Sequence, residues 1–547
     1  MSFLNSYLNR PARLLVAAAG MLAFALLGLP AGSLAASEAS QEFRAEADAF
    51  FTNHNLPRLV LEIPESGLAS LRREPRTHVR ATLREGSATF SNVAVHLKGA
   101  AGSFRQVDDV PGLTLNFTEF EPDSPRFHGL KKVHLNNSVQ DPSRVSELVA
   151  GQMFREAGVP AARAAHALVE LNGRKLGLYV VMEAMNKDFL AQYFHHPKGN
   201  LYGQSLRCDV TDDIERMEGK GPLTRAELAA LAGAVRERDA KLRLERMEKT
   251  LDVERFLSFM ALEVILGHWD GYSFARHNYR IYQDLDTGRM VFFPHDLDQL
   301  MVRSKAVLLP AVNGLVAQAV LNTPPLRERY LRRVCTLATN LFVAPRWSEQ
   351  VDQAVASLLP TLQAYDPLLA RVFTNATVNF KSRLTNRRPQ LERQIAVLNG
   401  TANPVKFTDG LLRLTAWSSE SFQPGTRLER LKDQDGKQTL WISAPRRTMA
   451  AWRTQVLLEA GRYSFEGMAR CSDVEVFEGR RGGGASLAIA GRRRSGSTFL
   501  AGDSAWQKLS CEFEVVTTED VELSCELRAL KGDVWFDETS LRLVRLK

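Results

Sequence analysis

The stretch GHWDGYSFARHNYRIYQDLDTGRMVFFPHDLD, Gly267–Asp298, contains two runs that predict the strands of a β-hairpin. Residues 279–283 alternate in polarity and residues 290–293 are apolar, as expected for strands. Residues 286–288, Asp-Thr-Gly, supply turn chemistry between them. Upstream, residues 252–266 place apolar side chains near helical spacing behind an aspartate suited to an N-cap. The sequence therefore predicts a buried helix that leads into a hairpin.

Four oxygen-bearing side chains flank this hairpin. Asp270 and Asn278 precede its first strand. Asp296 and Asp298 follow its second strand, and in extended chain they point the same way, so both can reach one hard cation. A plainer interpretation is that each aspartate caps a helix or closes a turn. However, carboxylates directly after a strand this apolar would lose hydration unless a cation or a basic partner compensated them.

Length, composition and cysteine spacing bound the class of protein. A chain of 547 residues is too long for one ordinary core and predicts two or three domains. Its 45% hydrophobic and 24% charged residues are typical of a soluble globular protein, and a net charge of +8 is too mild to indicate nucleic-acid binding. The five cysteines lack CxxC spacing. Cys471 with Cys511 or Cys525 fits a disulfide of an exported domain, and buried free thiols are the alternative.

The first 35 residues have the pattern of a signal peptide. Arg10 and Arg13 precede an apolar run over residues 14–29, and Ser33-Leu34-Ala35 fits small-x-small cleavage. We therefore predict cleavage after Ala35, no membrane span in the mature chain, and export to the periplasm, the cell surface or the medium. An uncleaved membrane anchor is the alternative, although the apolar run is shorter than a typical span.

Beyond residues 1–35, changes in composition and in secondary-structure pattern predict the domain boundaries. A polar segment, residues 36–57, precedes a domain of mixed strands and helices, residues 58–400. Residues 401–410 resemble a linker, and in residues 411–547 nearly every segment is a short alternating strand, which indicates a β-sandwich. The predicted fold class is α+β followed by an all-β domain. The strands predicted in the first domain are 58–63, 79–83, 93–97, 114–117, 133–135, 167–171 and 176–182, and its other predicted helical stretches are 143–157, 224–249 and 327–398.

Seven blocks of sequence, in this order, resemble one known family. They are KGAAG (98–102), LKKVHLNNSVQD (130–141), ELVAGQMFREAGVPAARA (147–164), LNGRKLGLYVVMEAMNKDFL (171–190), GNLY (199–202), HNYRIY (277–282) and FFPHDLDQL (292–300). Together they resemble the spore-coat protein H (CotH) kinase-like family over about residues 58–398. The resemblance implies a divergent, two-lobed protein-kinase-like fold that is exported and transfers phosphate from ATP, with Mg²⁺ or Mn²⁺, to protein hydroxyls.

The resemblance also implies roles for residues at matching positions. Asp270 resembles the catalytic aspartate, which orients or deprotonates the acceptor hydroxyl. Asn278 and Asp296 resemble metal ligands that bridge the ATP phosphates, with Asp298 as a neighbouring candidate. Glu183 matches the position of a glutamate in the nucleotide-binding lobe that pairs with a lysine.

One departure from the family pattern concerns the cation that binds phosphate. Many relatives carry a lysine just before the strand that here reads PGLTLNF, whereas this chain has Val110. Lys98, Arg105, Lys131 and Lys132 are the candidates to replace that lysine in binding ATP. Without a substitute, ATP binding would weaken and transfer would slow.

The C-terminal domain has a second resemblance. GDVWFDETSLRLVRL, residues 532–546, looks like the closing strand of carbohydrate-binding jelly rolls, which implies a structural Ca²⁺ near Asp537. Five tryptophans are candidates for a sugar-stacking platform or for the core of the sandwich. They are Trp417, Trp441, Trp452, Trp506 and Trp535.

The sequence thus predicts an exported atypical protein kinase, targeted by its C-terminal sandwich. Its acceptor is a protein at the cell surface or in the secreted fraction, and a glycan is a further partner. Two alternatives stay open. One is a non-catalytic surface-binding or structural protein that kept the kinase-like scaffold, in line with Val110. In the other, Asp296 and Asp298 hold Ca²⁺ purely for structure.

Overall fold

A computed structural model describes most of the chain from residue 31 onward. It covers residues 31–53, 55–100, 102–203, 207–302, 307–421, 425–432, 436–477, 483–490 and 498–546. Residues 1–30, which hold most of the predicted signal peptide, lie outside the described residues. Across the described ranges, no helix combines the length and the apolar character needed to cross a membrane.

Seven strands of the N-terminal part close into a β-barrel. Its elements are α1 (Ala31–Thr52), β1 (Arg58–Glu62), α2 (Glu65–Arg73), β2 (Val79–Glu85), β3 (Ala88–Lys98), β4 (Gly112–Asn116), β5 (Lys132–Asn136), α3 (Ser146–Glu156), β6 (Ala164–Leu171) and β7 (Arg174–Glu183). The order around the barrel is β1-β2-β3-β4-β5-β7-β6, and a parallel pair of β1 with β6 closes it. The seven predicted strands are confirmed, whereas α1 and α2 were not predicted. Ala47 and Phe51 of α1 belong to the apolar cluster of this barrel, so the segment predicted only as polar contributes to a core.

The following segment is mostly helical and surrounds one buried helix. Its elements are α4 (Lys187–Leu190), β8 (Leu201–Gly203), β9 (Glu215–Glu218), α5 (Ala226–Arg236), α6 (Ala240–Thr250), α7 (Val253–Leu266), α8 (Tyr272–Ala275), β10 (Tyr279–Gln283), β11 (Met290–Pro294), α9 (Leu315–Leu321), α10 (Pro324–Asn340), α11 (Ala344–Tyr365) and α12 (Pro367–Leu398). Twelve of the 14 residues of α7 are buried, which is typical of a helix that is apolar on all sides. Asp252 caps α7 by accepting a hydrogen bond from Arg255 N, and β10 pairs with β11. The predicted helix and hairpin are therefore confirmed.

Arg387 of α12 holds the C-terminal end of α7. Gly267 ends α7 in the left-handed conformation, with φ of 58°. The Arg387 side chain is only 4% exposed; its Nε donates to Ile265 O at 2.9 Å and its Nη2 donates to Val264 O at 2.7 Å. These carbonyls belong to the last turn, which a helix leaves without intrahelical donors. Arg387 therefore fixes the point where the chain enters the loop of Asp270.

The C-terminal domain is built of two β-sheets. Its strands are β12 (Leu411–Arg413), β13 (Ser418–Ser421), β14 (Arg427–Lys432), β15 (Gln438–Ala444), β16 (Thr448–Leu458), β17 (Gly461–Glu475), β18 (Gly484–Ile489), β19 (Phe499–Leu500), β20 (Gly502–Val515), β21 (Glu519–Ala529), β22 (Lys531–Asp537) and β23 (Arg542–Leu546), with a short 3₁₀ helix, Glu538–Ser540. One sheet has the order β12-β23-β17-β22-β15-β14 with β20 on β17, and the other has the order β13-β16-β21-β18-β19. Apolar side chains from both sheets form one cluster between them, so the predicted sandwich is confirmed.

The cysteines do not cross-link this sandwich. Cys471, Cys511 and Cys525 are buried in it, and the five cysteines of the chain, all of which lie in described residues, form no disulfide. The buried-thiol alternative is the one observed.

Replacement of Arg387 by Met is expected to lower the free energy of unfolding by about 2–4 kcal/mol, because two buried carbonyls would lose charged donors. Urea denaturation followed by circular dichroism measures the change. Arg371→Met is the matched control, since Arg371 is exposed on the same helix and its loss should cost less than about 0.5 kcal/mol. An equal effect of the two substitutions would contradict the role assigned to Arg387.

Candidate functional site

A cleft with an empty volume of about 790 Å³ lies between the barrel and the β10–β11 hairpin. Lys98, Glu147 and Glu183 line it from the barrel and α3, and Arg280 and Asp296 line it from the hairpin side. Lys98 is the last residue of β3, and Asp296 follows the end of β11 by two residues. The ends of two strands therefore bring opposite charges into one cleft.

Lys98 is linked to a buried acidic residue that was not predicted from the sequence. Its ammonium group donates to Asn136 Oδ1, and Asn136 Nδ2 donates to Glu147 Oε1 at 3.4 Å. Burial lowers the pKa of Lys98, and the negative charges of Asp296 and Glu147 oppose this shift. Burial raises the pKa of Glu147 to about 8, and Asp296 adds to the increase. The sequence did carry a signal for this residue, because Glu147 lies among apolar residues of α3. Buried glutamates are rare unless they are paired, so its position indicates a partner.

Glu183 has a different partner from the one expected. Arg163 donates to both of its carboxylate oxygens, from Nε at 2.9 Å and from Nη2 at 2.7 Å, and Gln192 Nε2 donates to Oε1 at 2.6 Å. The expectation that Glu183 pairs with a lysine is therefore wrong. Glu183 still lines the cleft, but the acidic residue linked to Lys98 is Glu147.

The predicted substitutes for the missing lysine differ in position. Arg105 is turned onto its own loop, where Nη1 donates to Phe104 O at 2.7 Å. Val110 contributes its carbonyl oxygen, which accepts a hydrogen bond from a neighbouring asparagine at 2.8 Å. Lys98 and Lys132, by contrast, line the cleft directly. The cations available to a bound phosphate thus come from the ends of β3 and β5.

Asp270 and Asn278 meet in the loop after α7. Asn278 Nδ2 donates to Asp270 Oδ2 at 2.9 Å. The other oxygen, Oδ1, lies 3.3 Å from His268 Nε2, yet it is buried and has no hydrogen-bond partner among the described residues. Burial raises the pKa of Asp270 to about 6, helped by Asp296, and burial lowers the pKa of His268 to about 4. Asp270 therefore has one oxygen held by Asn278 and one buried oxygen that accepts no hydrogen bond from the described residues.

Glu263 supports this loop from inside α7. Its carboxylate is fully buried and accepts hydrogen bonds from Tyr272 N at 2.7 Å and Ser273 N at 2.9 Å. These are the first two residues of α8, which lies directly after Asp270. A second buried acidic residue that was not predicted thus fixes the loop that carries Asp270.

The backbone from Asp296 to Asp298 differs from the extended conformation that we expected from the sequence. Asp296 has φ of 53°, in the left-handed region, and Asn278 has φ of 50°. Asp and Asn tolerate this conformation better than most residues. A left-handed residue directs the chain away from the line of β11, so Asp296 lines the cleft while Asp298 is half-buried outside its lining. Burial raises the pKa of Asp298 to about 9, and Asp296 adds to the increase.

The charge balance of the site fits a hard cation. Asp296 acts electrostatically on five charged residues: Lys98, Glu147, Asp270, Arg280 and Asp298. Four acidic side chains thus lie near Lys98 and Arg280, with Lys132 as a third basic residue of the cleft. The available donors are carboxylate and amide oxygens, as Mg²⁺ and Mn²⁺ prefer. Within the described ranges no group of three or more His, Cys, Asp and Glu side chains is arranged to hold a metal ion by itself. A cation here would need further ligands from water and from phosphate.

Asp537, the predicted calcium ligand of the C-terminal domain, caps a turn. Its Oδ1 accepts hydrogen bonds from Thr539 N at 3.0 Å and from Thr539 Oγ1 at 2.6 Å. It is the N-cap of the 3₁₀ helix between β22 and β23. The carboxylate therefore has a structural role in the chain itself, and calcium binding there stays a prediction.

The five tryptophans of the C-terminal domain divide into two groups. Trp417 and Trp452 are buried and belong to the apolar cluster between the sheets. Trp441, Trp506 and Trp535 are half-buried. Two of the five are therefore core residues, and three remain for an aromatic surface.

These three tryptophans share the outer face of one sheet. Trp535 of β22 lies opposite Trp441 of β15 and, on its other side, opposite Arg470 of β17. The Arg470 guanidinium lies 4.4 Å from the ring centroid of Trp535 and 5.5 Å from that of Trp506. Trp441 Nε1 donates to Asp533 Oδ1 at 3.0 Å. We call this surface the tryptophan platform; it combines aromatic rings with one basic and one acidic side chain.

Comparisons with known proteins confirm the predicted family resemblance. Residues 112–367 match the family model described as CotH kinase protein. Inner spore coat protein H of Bacillus subtilis is 26% identical over 242 residues, which are 40% of this chain and 64% of that protein. Invasin CotH2 of Rhizopus delemar is 24% identical over 236 residues, which are 38% of this chain and 38% of that protein. The chain thus spans less than two thirds of the length of each of these relatives.

Among solved structures, TmCBM61 in complex with β-1,4-galactotriose matches part of the chain. The match covers 24% of this chain and 91% of that chain, at 13% identity and with a TM-score of 0.17. A match at this TM-score establishes neither the fold nor the ligand of this chain. The sandwich is defined by the pairing of its own strands into two sheets.

Asp298→Asn is expected to stabilise the metal-free protein at pH 8 and to leave it nearly unchanged at pH 4. The pKa of Asp298 in the fold, about 9, lies far above its ordinary value of 3.8. The folded state therefore binds the proton more tightly than the unfolded chain, and stability falls as the pH rises between these two values. Asparagine removes this cost, with an expected gain of about 1–4 kcal/mol at pH 8.

Thermal unfolding in EDTA at pH 4, 6 and 8 measures the effect. Asp123→Asn is the control, because Asp123 is exposed outside the cleft. If Asp298→Asn lowered the stability at pH 8, or raised it equally at every pH, Asp298 would not be a carboxyl whose ionised form the fold destabilises.

Proposed function

We propose that the chain is an exported atypical protein kinase that transfers phosphate from ATP to a hydroxyl group of an acceptor protein. The observation that carries this proposal is that Lys98, Glu147 and Asp296 line one cleft, while the hydrogen-bonded pair of Asp270 and Asn278 lies beside it, within electrostatic reach of Asp296. A basic group from a barrel strand faces the oxygen donors of the loop and the hairpin. Phosphoryl transfer needs mainly positioning and neutralisation of charge, and this set can supply both.

The proposed roles follow from position and charge. Lys98 and Arg280 face the phosphates of ATP from the two sides of the cleft. Asn278 and Asp296 would hold the divalent cation, which would neutralise charge on the transferring group. Asp270 accepts a hydrogen bond from the acceptor hydroxyl and orients it. A pKa of about 6 keeps Asp270 mostly ionised at neutral pH and able to take up the proton.

The same residues support a kinase-like division into two lobes. In our proposal the barrel with α3 is the nucleotide lobe, which contributes Lys98 and Glu147. The helical segment built on α7 is the second lobe, which contributes Asp270, Asn278 and Asp296. The acidic residue of the first lobe is then Glu147 on a helix, rather than Glu183 on β7.

The competing proposal is a non-catalytic protein that kept this scaffold. Val110 favours it, since the lysine expected at this position is absent. Lys98 weakens this argument, because its buried ammonium group occupies the cleft from a neighbouring strand. We therefore prefer the catalytic proposal. Failure of the wild-type protein to bind ATP would favour the non-catalytic one.

The proposed setting is outside the cytoplasm. Residues 1–35 have the pattern of a leader, and the two relatives are named as a spore-coat protein and an invasin. The proposed acceptor is a protein of the cell surface or of the secreted fraction. The tryptophan platform, with Trp441, Trp506 and Trp535 on one face, offers a surface on which sugar rings can stack, and we propose a glycan as its ligand.

The catalytic proposal predicts that Asp270→Asn and Asp296→Asn each lower phosphate incorporation at least about 100-fold. The assay uses labelled ATP, Mg²⁺ or Mn²⁺, and casein as a generic acceptor. Asp286→Asn is the matched control and should stay within about twofold of wild type. Asp286 is exposed in the turn at the opposite end of the same hairpin. Equal labelling by the wild type and both site variants would refute the proposal.

Titration calorimetry with Mg-ATP separates the two candidate functions. Micromolar binding by the wild type, together with labelling that the site variants lack, supports a kinase. Failure to bind at millimolar ATP would favour the non-catalytic protein.

Trp535→Ala is expected to weaken glycan binding at least about tenfold, because the central ring of the tryptophan platform would be lost. Affinity electrophoresis in gels that contain xylan, galactan or mixed-linkage β-glucan measures retardation of the purified protein. Phe499→Ala is the control, since Phe499 is a 54% exposed aromatic residue on the other sheet. Unchanged retardation of the Trp535 variant, or no retardation of the wild type by any of these polymers, would count against the glycan proposal.

A further inference from the structure

A second cavity lies where the helical segment meets the sandwich. Its empty volume is about 1400 Å³, and it shares no lining residue with the cleft. Helix α12 forms one wall, and residues of β13, β16 and β21 form the opposite wall. The proposed phosphotransfer does not use this cavity.

The α12 wall presents like charges on one helix face. Arg383, Arg387 and Gln390 line the cavity at helical spacing, with the two arginines four residues apart. Like charges at this spacing destabilise a helix unless something compensates them. Ser418 and Ser419 line the facing wall, so hydrogen-bond donors are present on both sides.

Two other arginines of this cavity have acidic partners. Arg393 Nε donates to Asp520 Oδ2 at 3.0 Å, and Arg453 Nη1 donates to Glu522 Oε1 at 2.6 Å. These pairs join α12 to the sandwich and link two strands within it. The acidic side chains at the junction are thus already engaged by arginines.

Among the described residues, Arg383 and Arg387 have no acidic side chain in hydrogen-bond contact, and Asp141 acts on Arg383 only through its charge. Arg383 Nε and Arg387 Nη1 are both buried, and neither has a hydrogen-bond partner among the described residues. Arg387 is only 4% exposed, and its other two nitrogens are taken up by the carbonyls of Val264 and Ile265. Burial lowers the pKa of Arg387 to about 10 and lowers the pKa of Arg383 as well. Buried guanidinium nitrogens without a hydrogen-bond partner are costly, and an anion would offset that cost.

We propose that this cavity binds an anionic ligand through a carboxylate or phosphate group, held by Arg383 and by Nη1 of Arg387. Guanidinium groups match the planar or tetrahedral oxygens of these anions, and charge-assisted hydrogen bonds of this kind are the strong ones. Since Arg387 also holds the end of α7, the ligand would lie one side chain away from the helix that leads to Asp270.

The test measures binding of inorganic phosphate and of glucuronate to the full chain by calorimetry and by thermal shift. Wild type is expected to bind at least one of them and to melt at a higher temperature in its presence. Arg383→Gln should weaken the binding at least about tenfold without unfolding the protein, because Arg383 Nε makes no hydrogen bond that folding needs. Arg371→Gln, on the exposed face of α12, should bind as wild type does.

Lys98→Met serves as the control for the cleft, since phosphate could also bind there. Binding that survives in Lys98→Met and is weakened in Arg383→Gln supports the junction site. Preference for phosphate over glucuronate, or the reverse, then identifies the source of the anion. Binding that Lys98→Met abolishes, binding that Arg383→Gln leaves unchanged, or no binding of either probe would overturn the proposal.

Discussion

Burial of α7 is the constraint on which the rest of this structure depends. With 12 of its 14 residues buried, the helix cannot shift without exposing apolar surface on several sides. Phe256 packs edge-on against Phe292 of β11, with ring centroids 4.9 Å apart, so the hairpin is fixed to the same helix. Arg387 fixes its last turn, and Glu263 fixes the loop beyond it. The positions of Asp270 and of the residues after β11 therefore follow from the packing of one apolar helix.

In and beside the cleft, by contrast, the placement of charged groups destabilises the folded state. Glu147 and Asp298 are held where burial and the charge of Asp296 disfavour their ionised forms, and Lys98 is held where burial disfavours its own. A rigid apolar support makes this arrangement tolerable. Groups with perturbed pKa values that cluster in and beside a cleft are typical of functional sites.

Local patterns in the sequence predicted the elements well and the long-range pairings poorly. Polarity and capping predicted α7, the hairpin and the strands of barrel and sandwich, because each pattern lies within about 15 residues. The closure of the barrel by β1 and β6, over 100 residues apart, leaves no such local pattern. For the same reason Glu147 was missed as the acidic residue linked to Lys98, and Glu183 was given a partner it lacks. The left-handed backbone of Asp296 was missed because a D-x-D sequence does not specify the backbone conformation of its residues.

The closed barrel also bears on how this chain associates with copies of itself. Each of its seven strands has a neighbour on both sides, so the described residues of the barrel offer no free sheet edge for strand pairing between molecules. The open sheets of the sandwich do have edges. One edge is β14, which reads RLERLK and carries four charged side chains, and another is β19, which is only two residues long. Charged or very short edge strands oppose templated pairing, so these two edges are poor templates for association between molecules.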